Sequence, residues 1–381
     1  MQLTAILITF GILFPCYQEE GTLPAGEDPA ERNTSEDYLR IQFNFYDQND
    51  GGGNPNLDES MTILEPMVLF QSRVSEKWTI NAMFMSDIIS AASVKSGEGK
   101  RFPSGVQSGA SGDKYFALNI GAFYAWSDQV SVGGGISGAK EYEYSSLGAF
   151  LSTQYESADK NDTVTFKLSG YFDSLDLILF DGTEENSDSR QTAGVGLGWT
   201  HILGPETYME LNYDLTIQTG FLSTSYNSVV AAGSEVREIL PDNRFRNALY
   251  GSLRHLVFDD LAIEPGAGFY LDDWGATAFH LNLTLFWEMV PGTVILEPHY
   301  RFHWQSEVDY FVSPQVSLIP EFRTQDPDLD QFSSHTLGLK TIFPDVPLME
   351  KNTEIEIGFD YTIRSNNLDS FSVTFGFQWN F

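Results

Sequence analysis

The sequence predicts an all-β protein: a transmembrane, antiparallel, up-and-down β-barrel of sixteen strands. Three observations lead there. Apolar and polar residues alternate with a period of two from Tyr38 to the last residue, as expected of a pleated ribbon with two unlike faces. The candidate strands number sixteen, and single-chain bacterial barrels have an even count. The links between strands alternate between short and long, as they do when all short turns lie at one end of a barrel.

The strands are predicted near 38–46, 61–72, 77–89, 114–126, 129–141, 143–155, 163–173, 191–203, 207–219, 246–257, 261–271, 276–289, 294–304, 334–343, 353–363 and 370–381. In the first, Leu39, Ile41, Phe43 and Phe45 alternate with Arg40, Gln42 and Asn44. In the ninth, Met209 to Ile217 oppose Glu210 to Gln218, and Phe279 to Trp287 in the twelfth oppose His280, Asn282 and Thr284. The last runs Phe371, Val373, Phe375, Phe377, Trp379, Phe381 against Ser372, Thr374, Gly376, Gln378 and Asn380. A soluble sandwich alternates too, but it must pack its apolar faces on each other, and large rings along every strand would crowd it. A membrane barrel turns that face to lipid. Ser127-Asp128, Gly204-Pro205-Glu206, Phe258-Asp259-Asp260 and Pro291-Gly292-Thr293 are short links, whereas 47–60, 90–113, 174–190, 220–245 and 305–333 are long. With the N-terminus in the periplasm, the short turns lie inside and the long loops outside. The expected surroundings are outer-membrane lipid and, because a terminal Phe after alternating aromatics resembles an assembly signal, the barrel-assembly machinery.

Composition narrows the function. With 53 acidic against 21 basic residues the chain carries a net charge of -32, so nucleic acid, which needs a basic surface, is excluded as a partner. No stretch of eighteen apolar residues predicts a membrane-spanning helix. Residues 1–17 read as a signal-like leader whose apolar run is too short to span, although no Lys or Arg precedes Arg32. Leu13-Phe14-Pro15-Cys16 is a faint lipoprotein-type site spoiled by its proline. Cys16 is the only cysteine, so the mature barrel has no disulfide within it. Residues 18–37, acidic with Gly and Pro, read as a flexible periplasmic segment, and 38–381 as the barrel.

Alternation places Arg40, Glu210, Asp214, His280, Glu288, Glu297, His299, Arg301, His303, Glu354, Glu356 and Asp360 on the lumenal face. A sixteen-stranded barrel is wide enough for an aqueous channel, and lumenal carboxylates favour cations. His299 and His303 share a strand face but lie roughly 13 Å apart at the usual rise, too far to share a metal; with His280 they read as lining. The loop Asp47 to Glu59 sets oxygen ligands at alternate places, including Asp47, Asn49 and Asp58, and is a candidate extracellular calcium loop. It departs from the EF-hand pattern at Gly51 and Asp58. Asp272-Asp273-Trp274-Gly275 reads as a capped turn, since no His or Ser is tied to the aspartates by spacing. The loop 305–333, with Pro314, Pro320 and Pro327, is a candidate constriction or lid. No cofactor and no catalytic constellation are expected, so the chain is not read as an enzyme.

Several motifs carry a family resemblance. Gly51-Gly52-Gly53-Asn54-Pro55 with Ile63-Leu64-Glu65-Pro66, then Ser86 to Ser93, Gly220-Phe221-Leu222-Ser223 with Tyr226, Leu240-Pro241-Asp242-Asn243-Arg244 and Asp272-Asp273-Trp274-Gly275 occur in order. Together they resemble domain-of-unknown-function family 3570 from about Tyr38 to the end, the last two motifs being the most specific. The resemblance implies an outer-membrane barrel and, through the neighbouring genes of such proteins, an envelope redox system. Two functions follow as expectations. One is a porin-like, cation-preferring channel for small solutes. The alternative is a structural sheath that holds a periplasmic, redox or lipoprotein partner.

Overall fold

The computed structural model describes residues 37–51, 60–91, 114–313, 315–344, 346 and 353–381. The leader 1–17, residues 18–36 and Asp58 of the candidate calcium loop lie outside them.

The ladder comprises β1 (Tyr38–Asp50), β2 (Met61–Arg73), β3 (Trp78–Ala91), β4 (Lys114–Ala125), β5 (Val130–Lys140), β6 (Tyr144–Glu156), β7 (Asp162–Leu175), β8 (Asp188–Gly204) and β9 (Thr207–Gly220). After a small hairpin, β10 (Ser228–Ala231) and β11 (Ser234–Arg237), it continues with β12 (Asn243–Phe258), β13 (Leu261–Asp272), β14 (Thr277–Val290), β15 (Val294–Gln305), β16 (Phe332–Phe343), β17 (Thr353–Arg364) and β18 (Leu368–Asn380). Sixteen strands form one closed antiparallel barrel in which each strand pairs with its neighbours in sequence and β18 closes onto β1. That closure is full length, from Tyr38 opposite Asn380 to Asp50 opposite Leu368. A closed ladder leaves no edge, so every strand N–H and C=O can be satisfied inside a bilayer.

The alternation read from the sequence sets the two faces. Phe43, Leu64, Phe84, Leu118, Leu151, Phe172, Leu211, Leu281, Leu337 and Phe359 all face outward and are exposed. Transfer to hydrocarbon rewards each such side chain by roughly 1.5–3 kcal/mol, which is how an apolar exterior stabilises this fold without a large internal core. Tryptophans gather at the short-turn end: Trp78, Trp126, Trp287 and Trp379 are all exposed near turns, where amphipathic rings suit a bilayer interface.

Many strands run beyond their sequence-predicted ends. β1 continues through Asp47–Asp50, which pair with Phe371 down to Leu368, and β12 begins at Asn243 instead of 246. Hydrogen-bonded pairing continues past the apolar belt into polar residues, which hydrophobic periodicity cannot register. The hairpin β10–β11 was not predicted. Its two-residue turn, Ala232 (φ 53°) and Gly233 (φ 76°), has both residues left-handed, the type I′ arrangement that matches strand twist.

Candidate functional site

Strand register sets the neighbours of the polar residues predicted to line the lumen. Near the short-turn end Arg40 bridges to Glu356 of β17, with Glu354 beside the same pair. On the adjoining wall Glu297 pairs with Lys340 at 3.0 Å and His299 Nε2 with Asp360 at 2.6 Å. Glu210 accepts from Asn212 Nδ2 at 2.6 Å, and Asp214 stands over Gly196 near Lys167. Glu288 sits at the short-turn end, where it accepts the Gly292 N–H at 2.6 Å. Arg301 lies opposite Asn282 and Thr336.

The three histidines singled out in the sequence do not converge. His280 and His303 are direct cross-strand partners, yet their rings turn to different neighbours. His280 stacks on Tyr250, with centroids 5.6 Å apart, and covers Gly268, where a Cβ would collide with the imidazole. His303 packs on Phe332 and contacts Gln305. Among the described residues no group of three or more His, Cys, Asp or Glu is arranged to hold a metal. Asp47 accepts the Thr62 hydroxyl at 2.8 Å, and Asn49 stands opposite Asp369. Both are at the long-loop end of β1.

Sequence reasoning passed over several lumenal cations: Lys167, Arg190, Arg244, Arg246, Arg254, Lys340 and Arg364. Most neutralise a carboxylate. Arg254 bonds Glu264 at 2.7 Å above the Phe286 ring, Arg190 bonds Asp173 at 2.7 Å, and Arg364 bonds Asp328 at 2.7 Å. The alternation could have found the cations, since Lys167 stands between Phe166 and Leu168. It could not have found the pairs. A bulge between Leu256 and Phe258 shifts the β12–β13 register by one, and without it Arg254 would face Pro265 instead of Glu264.

At the long-loop end, two loops fold into a cap. Residues 221–242, which include the hairpin, and residues 306–331 are joined by reciprocal backbone bonds between Ile239 and Arg323, 3.1 and 2.6 Å. Gln325 bonds the backbone of Val230 and Val312, and Val229, Ala231 and Val312 form a small dry core. Glu238 is buried in the seam and accepts the Thr324 hydroxyl at 2.6 Å and the Thr224 N–H at 2.7 Å. Burial, followed by the nearby Asp326 charge, pushes its carboxyl up to about 8. One side of the cap meets β17 through Arg364–Asp328; the other, at 221–226, approaches the inner wall of β4 to β8. The 305–333 segment thus packs against a second loop, 221–242, that the sequence did not single out.

The two most specific motifs meet at the base of this cap. Arg244 donates to Asp272 at 2.8 and 2.5 Å, and its guanidinium lies 4.2 Å from the Trp274 ring centre. Trp274 is buried, donates its indole N–H to the Asn243 carbonyl at 2.8 Å, and packs with Leu222, Leu240, Val308 and Leu329. Asp272 also accepts from Tyr270 and from the backbone N–H groups of Trp274 and Ala276, while Asp273 caps Phe245 N at 2.8 Å. Gly275 has φ +85°, and a side chain there would strike the Asp309 carboxylate. Both carboxylate oxygens of Asp272 and one of Asp273 are thus occupied in holding the turn.

These features define the class: a transmembrane β-barrel of porin-like architecture, with a charged lumen and a folded loop cap. The family described as protein of unknown function (DUF3570) matches residues 16–372. The chain belongs to that family. No curated protein sequence is a significant match. Among solved structures, a bacterial polysaccharide outer membrane secretin is similar, with TM-score 0.51, 10% identity, and coverage of 91% of this chain and 99% of that one; the likeness shows the fold alone. A BenF-like porin from Pseudomonas fluorescens Pf-5 is also similar, at 8% identity and TM-score 0.46, with coverage of 91% of this chain and 99% of that one.

Proposed function

We propose that this protein is a porin-like channel of the bacterial outer membrane, passing small solutes with a preference for cations. The carrying observation is the closed sixteen-stranded barrel whose outward face is apolar and whose inward face is charged. Its short turns and the chain ends of the barrel would face the periplasm and its long loops the exterior, the arrangement expected of barrels delivered from inside. The similarity of its fold to an outer-membrane secretin is consistent with that location.

Cation preference is argued from the acidic residues of the inward face, among them Glu210, Asp214, Glu288, Glu297, Glu354, Glu356 and Asp360. The salt bridges of Arg40, Arg190, Arg244, Arg254, Lys340 and Arg364 each neutralise one carboxylate. Several of the lumenal carboxylates are thus paired, so a modest preference is expected. The test is single-channel conductance of the refolded barrel in a planar bilayer under a KCl gradient. Steady current with a cation-signed reversal potential supports the reading; an anion-signed one overturns the preference. Silence from a demonstrably folded barrel overturns the channel itself and returns the sheath reading, in which a periplasmic partner belongs in the lumen.

A further inference from the structure

One guanidinium on the inner wall is left without an acceptor. Arg40, Arg190, Arg244, Arg254 and Arg364 each hold a carboxylate at salt-bridge distance. Arg246, the second inward residue of β12, makes no ion pair and no hydrogen bond among the described residues. The residue is half-buried. Its Nε is sealed from water with no hydrogen-bond partner, whereas the two terminal nitrogens, equally without one, are not sealed. A buried donor left unmade costs free energy, and a charged one costs more.

Register explains why. Arg246 stands directly opposite Asp272 on β13, but Arg244 has taken that carboxylate. The two Asp272 oxygens already accept from Arg244, from the Tyr270 hydroxyl and from the Trp274 and Ala276 N–H groups. Asp272 still attracts Arg246 across the strand gap, without an oxygen to spare for it. On its other side Arg246 faces Thr216 of β9, which brings no charge. Arg244 and Arg190 are its like-charged neighbours, and each is bonded to its own aspartate. Of this trio, Arg246 alone carries a charge that no bonded carboxylate cancels. The adjoining wall has little bulk, since Ala248 follows on β12 and Gly194 lies beyond Thr216 on β8.

We propose that Arg246 is a binding site for the carboxylate of a small organic acid, held in the lumen just below the cap. A planar carboxylate matches the paired terminal N–H groups of a guanidinium, and one uncancelled positive charge matches a monoanion. An ammonium meets like charge at this wall, and a neutral alcohol leaves the guanidinium unanswered. The inward face as a whole is acidic, so its field works against anions; a carboxylate that enters is retained by a specific contact. The proposal goes beyond the channel reading and rests on it in one respect, because solute reaches this wall through the lumen.

Binding is measured calorimetrically on the full barrel folded in detergent, with benzoate, benzyl alcohol, benzylammonium and inorganic phosphate as probes, and conductance is recorded separately on the same preparations. Benzoate is expected to bind at least about tenfold more tightly than the other three, and less tightly as salt rises. Arg246→Gln should lower its affinity at least about tenfold, and Arg246→Lys, which keeps the charge but not the fork, should fall between. Because the guanidinium goes unanswered when nothing is bound, Arg246→Gln should unfold in urea no more readily than wild type. Benzoate should raise the unfolding midpoint of the wild type and leave that of Arg246→Gln where it was. Equal affinity for benzyl alcohol or phosphate, benzoate affinity unchanged in Arg246→Gln, or a variant less stable than the ligand-free wild type would each overturn the proposal. A conducting barrel that binds no benzoate sinks the site and leaves the channel standing; a silent barrel that binds it does the reverse. A barrel that does neither sinks both.

Discussion

Replacing Arg244 by methionine removes a guanidinium that donates twice to Asp272 and stacks on Trp274, while keeping much of the apolar stem. The Asp272 side chain has no exposure, so its carboxylate loses its counter-charge without gaining water. Breaking a buried pair from one side costs about 3–5 kcal/mol, and the lost cation–π contact adds about 1–2 kcal/mol. Tyr270 and the backbone N–H groups of Trp274 and Ala276 still donate to Asp272, which offsets part of the loss. The net effect on cap opening is about 3 kcal/mol, a factor on the order of 100 in the opening equilibrium. The strand ladder does not depend on this pair, so the damage stays local. Pulse proteolysis of the folded barrel in liposomes, with cleavage sites mapped by mass spectrometry, should find 221–243 cut far faster in the variant. Adding Asp272→Asn should restore much of the protection, because both charges are then gone. Equal cleavage of wild type and Arg244→Met, with heat-modifiability intact, would refute the anchoring role.

Three other outcomes are expected. Glu238, raised in the closed cap to about 8 from an ordinary value of 4.5, favours closure fully below pH 4.5, loses about tenfold per pH unit up to 8, and is flat above. Protease protection of 306–331 should therefore fall between pH 5 and 8, and Glu238→Gln should leave only the smaller dependence due to Asp326, itself raised to about 6 chiefly by burial. Leu337, outward and 63% exposed at the middle of β16, should cost about 2–4 kcal/mol as Leu337→Arg, read from refolding into vesicles. Its inward neighbour Thr336→Arg should shift the reversal potential toward anions instead. Gly275→Ala forces a side chain into φ +85° against Asp309 and should cost about 1–2 kcal/mol, seen as faster cleavage of the cap with the barrel unchanged.

The strands were legible because each must show unlike faces to lipid and water, and a period of two survives any error in boundaries. Phe279 to Trp287 needed no tertiary knowledge to be placed outward. The cap was illegible for the opposite reason: Glu238 with Thr324, or Ile239 with Arg323, meet across about eighty residues in loops with no periodicity. The lumen fell between these cases. Arg254 could be assigned inward from its neighbours Leu253 and His255, but its partner Glu264 depended on a bulge that has no hydrophobic signature.

The pairing of β1 with β18 sets an order of events. Tyr38 must wait for Asn380, its partner on the strand furthest along the chain, before its ladder is complete. Until then both terminal strands present open edges, which recruit other chains as readily as each other, and the contact that closes the ring is also the one of greatest sequence separation. A chain cut short before β18 is therefore not a slightly weaker barrel but an open sheet of fifteen strands with two adhesive margins. β18 is thus the check on the whole ring.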